Sequence, residues 1–183
     1  MGRTQRLMLA IVGLAATIGA AAREPSKNQQ DGLATPKVQP VTVELIAENT
    51  SIQPGGHTRV GVLFRIAEGW HIYAQDPGDA GLPTKVGWWG FALVKFGPLK
   101  WPPAEDFLDP GNIHTHGYTG QLILTSAIQI VGNPPAVPLS AHVEWLACRE
   151  ICLPGKADLS LTLPVHPSRP ALSPHSELFN HVS

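Results

Sequence analysis

Short runs in which apolar and polar residues alternate with a period of two are the feature of this sequence that most constrains its fold. They begin after residue 40, and this period places successive side chains on opposite faces of a strand. Pairs such as Pro54-Gly55 and Pro110-Gly111 separate the runs and favour turns. The alternating apolar residues are Val41, Val43 and Leu45; Val60, Val62, Phe64 and Ile66; Leu122, Leu124, Ile128 and Ile130; Val143 and Trp145; and Leu159, Leu161 and Leu163. Seven or eight strands in about 125 residues predict an all-β fold, a single immunoglobulin-like β-sandwich, with a small barrel as the alternative.

The first 22 residues have the three parts of a secretory signal peptide. Arg3 and Arg6 supply a basic start, a mostly apolar stretch follows from Leu7, and Ala20-Ala21-Ala22 offers the small residues that a signal peptidase accepts. A membrane anchor that stays in place is the alternative, but the apolar run is short for a bilayer span of ~20 residues. We therefore expect removal of residues 1–22, export, and no stable membrane insertion afterwards.

The rest of the chain divides into three parts by composition. Residues 23–40 are polar and contain three prolines, which predicts a flexible leader. Residues 41–165 hold the alternating runs and form the predicted domain. Residues 166–183 contain three more prolines and no periodic pattern, so we expect a loosely ordered tail.

Charge and motif content exclude several classes of function. The formal net charge is −1 and the pI is about 6.7, so nothing indicates electrostatic binding of nucleic acid or of an acidic membrane surface. The sequence shows no Ser-His-Asp order, no paired-carboxylate motif, no phosphate-binding glycine loop and no zinc-type cysteine spacing. Hydrolase and nucleotide-dependent roles therefore receive little weight, and no cofactor is expected.

Cys148 and Cys152 are the only two cysteines. On one extended strand their Cα atoms would lie ~13 Å apart at ~3.3 Å per residue, whereas a disulfide requires less than ~7 Å. The chain must therefore leave strand geometry between them, through a turn or a single helical turn. We expect Pro154-Gly155 to end that excursion before a strand over Leu159–Leu163.

A disulfide in this position can be a structural staple or a working part. Exported domains commonly carry structural disulfides. The loop closed here is small, however, and stabilises by only ~2 kcal/mol, against ~4–5 kcal/mol for a bond that spans a domain. Close spacing also allows one thiol to resolve a mixed disulfide formed by the other. Because Arg149 favours a thiolate and Glu150 opposes it, the sequence leaves the thiol pKa open.

With these residues described, the chain resembles a known family, the N-terminal immunoglobulin-like periplasmic domain of the thiol:disulfide interchange protein DsbD and its relatives in copper-tolerance systems (the ScsB type). The matching stretches are residues 69–73 (GWHIY), 76–84 (DPGDAGLPT), 101–103 (WPP), 116–120 (HGYTG) and 145–155 (WLACREICLPG). The last of them is the most specific, and together they cover nearly the whole predicted domain.

The resemblance implies a periplasmic thiol:disulfide oxidoreductase of the protein-disulfide reductase type. Cys148 and Cys152 would be the redox pair. They would accept electrons from a membrane-embedded thiol reductant and pass them to periplasmic thioredoxin-like proteins. Full-length transporters of this kind continue into a multi-span membrane region and a thioredoxin-like domain, so we expect this chain to meet its electron source in trans. Ala74 stands where a second aromatic residue is expected, and His116 where a Tyr is expected.

Two alternatives to electron transfer remain open at the level of sequence. His114 and His116 are two residues apart, so on a strand they share a face and, with a thiolate, could bind Cu(I) or Zn(II). The protein could then handle copper with the same cysteines. Alternatively, it could be a non-catalytic interaction domain whose disulfide is structural.

Two further features lie near the start of the predicted domain. Trp70 and Tyr73, on either side of His71, are expected to pack in the sandwich core. The Gly- and Pro-rich stretch over residues 76–84 could cover the thiols or form a plain turn.

Overall fold

The computed structural model describes residues 39–90, 92–109 and 111–181, which form ten β-strands and one short 3-10 helix. The predicted signal peptide and most of the predicted leader, residues 23–38, lie outside the described residues. The strands are β1 (Val41–Ala47), β2 (His57–Ile66), β3 (His71–Gly78), β4 (Lys85–Gly90), β5 (Val94–Phe96), β6 (Glu105–Asp109), β7 (Ile113–Tyr118), β8 (Gln121–Ile130), β9 (Ala136–Cys148) and β10 (Cys152–Pro164), and the 3-10 helix is Ser176–His181.

The strands form two antiparallel sheets that pack face to face. The first sheet has the order β1-β2-β8-β5. The second has the order β10-β9-β3-β7-β6, and β4 pairs with β9 beside β3. The predicted all-β, immunoglobulin-like sandwich is confirmed. Within the described residues, no helix is long and apolar enough to cross a membrane.

The alternating apolar residues build the core between the sheets. In β2, Val60, Val62 and Phe64 are fully buried, and their register partners in β8 include Leu124 and Leu122. The second sheet contributes the apolar residues of β9, among them Val143, from the face that looks inward. Burial of these side chains is the main favourable contribution to folding, at about 1.5–3 kcal/mol for each large one.

The segment after β10 differs from the predicted loosely ordered tail. Ser173 donates from its backbone N to the carbonyl of Glu48 at 2.9 Å, and Phe179 is fully buried. Phe179 packs with an apolar set on the outer face of the first sheet, formed by Ile46, Leu63 and Ile123. These three side chains point away from the core between the sheets, so they would be exposed to water without a second layer. The 3-10 helix provides that layer. Residues 166–181 are therefore part of the domain.

Candidate functional site

The two cysteines form a disulfide at the tip of the β9–β10 hairpin. Cys148 is the last residue of β9 and Cys152 the first of β10. They are register partners, with Cα atoms 4.1 Å apart. The three residues between them make the hairpin loop, in which the backbone N of Arg149 donates to the carbonyl of Ile151 at 3.0 Å. The predicted turn between the cysteines is confirmed.

The expectation for Pro154-Gly155 was wrong, because both residues lie inside β10 and do not end a turn. Pro154 is tolerated since β10 is the edge strand of its sheet, where a missing backbone donor is least harmful. Gly155 lies opposite Trp145, and a Cβ at this position would overlap the indole ring. Gly155 thus leaves room for Trp145 to lie across β10.

The two sulfur-bearing residues differ sharply in exposure. Cys148 is 2% exposed, whereas Cys152 and the neighbouring Ile151 are exposed. Thiol–disulfide exchange requires a thiolate to reach a sulfur, and access decides which sulfur is attacked. In the hairpin, the Cys152 side of the disulfide is therefore accessible from solvent and the Cys148 side is not.

His71 is the register partner of Cys148 across β3 and β9. Its imidazole stacks on Phe107, with ring centroids 4.9 Å apart, and meets the ring of Tyr73 edge-on at 5.1 Å. The Nε2 atom is buried and has no hydrogen-bond partner among the described residues. Burial lowers the pKa of the His71 imidazole, against a smaller opposing effect of the Asp109 carboxylate. A neutral imidazole therefore lies beside the buried cysteine.

Trp70 and Tyr73 are both buried, but only Trp70 packs in the sandwich core as predicted, and the expectation for Tyr73 was wrong. Trp70 belongs to the core, and the guanidinium of Arg149 from the hairpin loop lies 5.3 Å from its ring centroid. Tyr73 faces outward under the Gly- and Pro-rich loop. There Gly81, with φ of 98°, lies against the Tyr73 ring, where a Cβ would overlap it. Thr84 Oγ1 donates to the Tyr73 carbonyl at 2.7 Å. These contacts place the loop over Tyr73.

The structure does not bring His114 and His116 to the cysteines. Both lie on β7, which is separated from β9 by β3. His114 is exposed, and His116 Nε2 lies 3.5 Å from a carboxylate oxygen of Asp106. Among the residues that the structure describes, no group of three or more His, Cys, Asp or Glu is placed to hold a metal ion.

A groove of about 350 Å³ lies beside the hairpin, starting two residues from Cys152. Its walls are mostly apolar, and charged residues from three adjacent strands edge it. The lining residues are Leu82, Pro83, Lys85, Glu144, Trp145, Pro154, Gly155 and Lys156.

Comparison with known proteins identifies the family of this chain and structures with a similar fold. Residues 37–164 match the family described as "Thiol:disulfide interchange protein DsbD, N-terminal". No curated protein matches the sequence. The N-terminal periplasmic domain of ScsB from Proteus mirabilis is similar in structure, with a TM-score of 0.58 and 20% identity over 80% of this chain and 54% of that one. This chain thus spans about half the length of that structure.

A second structure is that of the Neisseria meningitidis DsbD N-terminal domain in the reduced form. It aligns with a TM-score of 0.36 and 18% identity over 66% of this chain and 84% of that one. The family match covers well over half of the sequence and includes both cysteines and His71. The chain therefore belongs to the family of the DsbD N-terminal domain.

Proposed function

We propose that this chain is a periplasmic thiol–disulfide exchange module. The Cys148–Cys152 pair passes electrons from a membrane-embedded thiol reductant to periplasmic thioredoxin-like proteins. The observation that carries the proposal is the disulfide at a hairpin tip, with one exposed and one buried cysteine, in a domain of the DsbD N-terminal family. The partners themselves are inferred from the family.

The exposure of Cys152 supports the following order of steps. A thiolate of the reductant attacks Cys152 Sγ, the Cys148–Cys152 bond breaks, and Cys148 leaves and takes up a proton. A second thiol of the reductant then frees Cys152, so that two electrons have reached the pair. In the opposite half of the cycle, the Cys152 thiolate attacks the disulfide of a thioredoxin-like protein. Cys148 then attacks Cys152 Sγ, the internal bond re-forms, and the partner leaves as a dithiol.

We expect the hairpin to stay formed through this cycle, because its strand pairing extends far beyond the disulfide. Strands β9 and β10 pair without a break from Cys148 and Cys152 down to Ala136 and Pro164. The ring closed by the disulfide is small, so its loss destabilises the fold by only ~2 kcal/mol. The dithiol form is therefore expected to remain folded.

A reduction potential tests the proposal against a structural staple. We expect the disulfide to equilibrate with glutathione redox buffers at a potential above about −300 mV, the range of disulfides that exchange. The reduced fraction is measured by alkylation and mass spectrometry, and urea unfolding of both forms should differ by no more than ~2–3 kcal/mol. A potential well below that value, or unfolding on reduction, would mean that the bond is a staple.

Export through residues 1–22 belongs to the same proposal, because disulfides form and persist in oxidising compartments such as the periplasm. We expect the full chain, expressed in a Gram-negative host, to be recovered from the periplasm with a new N-terminus at or near Arg23. Intact-mass measurement of the periplasmic fraction checks this. Recovery of only the full-length chain from the cytoplasm would contradict it.

A further inference from the structure

The buried Nε2 of His71 has no role in the steps above and no hydrogen-bond partner among the described residues. A buried polar atom without a partner is unfavourable, by about 1–3 kcal/mol, and native structures contain few. Because His71 and Cys148 are directly opposite in the β3–β9 ladder, their side chains share one face of the sheet, with Cβ atoms about 4.5–5.5 Å apart. The residue directly opposite His71 in the ladder is thus a cysteine that becomes a thiol on reduction.

Packing holds the imidazole in this position. Phe107 stacks on one face of the ring with an interplanar angle of 22°, and Tyr73 meets it edge-on at 87°. Both aromatic side chains, Phe107 of β6 and Tyr73 of β3, lie on the outer face of the second sheet. Aromatic packing therefore positions the ring, while Nε2 has no hydrogen-bond partner among the described residues when the cysteines form the disulfide.

The surroundings favour a neutral imidazole that can accept a proton. Burial lowers the pKa of His71, and the Asp109 carboxylate on β6 opposes this effect. By strand alternation, the other titratable residues on this face of β3, β6 and β9 are Tyr73, Glu105, Cys148, Glu144 and His142. On β7, the residue paired with Tyr73 is Gly117, which carries no charge. At pH 7 the imidazole is neutral, and its nitrogen can accept a hydrogen bond from a thiol.

We propose that His71 accepts the proton of the Cys148 thiol when Cys148 resolves a mixed disulfide at Cys152. This inference rests on the proposed function and assigns the proton that its last step releases. The S–H bond of Cys148 breaks with its proton passing to His71 Nε2. The thiolate attacks Cys152 Sγ, the internal disulfide forms, and the partner leaves as a thiolate that carries the two electrons. His71 then gives its proton to solvent and returns to the state seen in the structure.

The resolving step can be isolated with a small aromatic disulfide, 5,5′-dithiobis(2-nitrobenzoate). The reduced protein releases a first thionitrobenzoate when exposed Cys152 reacts, and a second when Cys148 closes the internal disulfide. The rate of the second phase is followed by stopped-flow absorbance across pH 5–9. The variants are His71→Phe, which keeps an aromatic ring in the stack, and His114→Phe, which makes the same change at an exposed histidine on β7.

We expect the His71→Phe variant to resolve about tenfold more slowly than wild type at pH 7, because without an internal proton acceptor only the fraction of Cys148 that has ionised to solvent can react. The pH midpoint of the variant should therefore rise towards the ordinary thiol pKa of ~8.5. The His114→Phe profile should match that of wild type. Equal midpoints for wild type and His71→Phe would overturn the proposal, since a purely structural loss of rate leaves the midpoint unchanged.

A second measurement uses the unmodified protein, in case His71→Phe does not fold. The ¹⁵N resonance of His71 Nε2 should move on reduction, as the Cys148 thiol begins to donate to it, while that of His114 should not. Identical His71 resonances in the two states would also overturn the proposal. Neither measurement needs a protein partner, so the role of His71 can be tested even in a domain that fails to exchange with thioredoxin-like proteins.

Discussion

A Cys148→Ser variant is expected to accumulate a mixed disulfide with a thioredoxin-like protein through Cys152, whereas a Cys152→Ser variant is expected to capture little. The reason is access. Cys152 is exposed at the hairpin tip, and Cys148 is 2% exposed. In the first variant the accessible thiol attacks and no second thiol is present to release the partner. In the second variant the remaining thiol, that of Cys148, is buried and a partner disulfide cannot reach it.

The measurement is a trapping assay with an oxidised thioredoxin-like protein, read on a non-reducing gel and by intact mass. The doubly substituted chain is the control and should capture nothing. Equal capture by both single variants would show that Cys148 becomes accessible during exchange, so that the static exposure does not set the order of attack. Capture by neither variant would mean that the pair is structural and that the redox proposal is wrong.

Local features of this site can be predicted from the sequence. The distance argument for Cys148 and Cys152 depends only on the rise per residue of a strand, and a tight turn is indeed found between them. The same reasoning misplaced Pro154, because a Pro-Gly pair favours a turn in isolation but is tolerated in an edge strand. Whether a strand is an edge strand depends on the order of the sheet, which the local sequence does not contain.

The partner of Cys148 is non-local and could not be predicted in this way. His71 and Cys148 are 77 positions apart in sequence, and they meet only because β3 pairs with the last residues of β9. The motif around His71 predicts core packing of Trp70, which the structure shows, and of Tyr73, which is buried on the outer face of the sheet instead. Which residue faces the sulfur is set by the register between two strands, and a shift of one residue would turn His71 to the other face.

The C-terminal segment was mispredicted for a related reason. Its prolines and lack of period suggest disorder, but the outer face of the first sheet carries buried Ile46, Leu63 and Ile123. These three residues break the alternation of their strands, because the residues on both sides of them are apolar as well. Apolar residues on both faces of a strand indicate that a second layer covers it. In this chain that layer is the 3-10 helix with Phe179.

A Phe179→Ala substitution is therefore expected to lower the free energy of unfolding by about 3–5 kcal/mol, the range for removal of a fully buried Phe ring. Two interactions from Arg59 hold the residue in place: its Nη1 donates to the Phe179 carbonyl at 2.6 Å, and its guanidinium lies 5.5 Å from the ring centroid. The matched control is Leu172→Ala in the same segment. Its side chain is 68% exposed, so the change should stay within about 0.5 kcal/mol.

Urea unfolding followed by intrinsic fluorescence measures both variants, and its slope against urea concentration separates two ways in which Phe179→Ala could act. If the 3-10 helix stays on the sheet over a cavity, the midpoint falls and the slope is unchanged, because the same surface is exposed on unfolding. If the helix detaches, the slope falls as well, since part of that surface is already exposed in the folded state. A decrease in the free energy of unfolding below about 1 kcal/mol, with an unchanged slope, would contradict the packing role. Removal of a fully buried aromatic ring from a close-packed layer destabilises a fold by more than that.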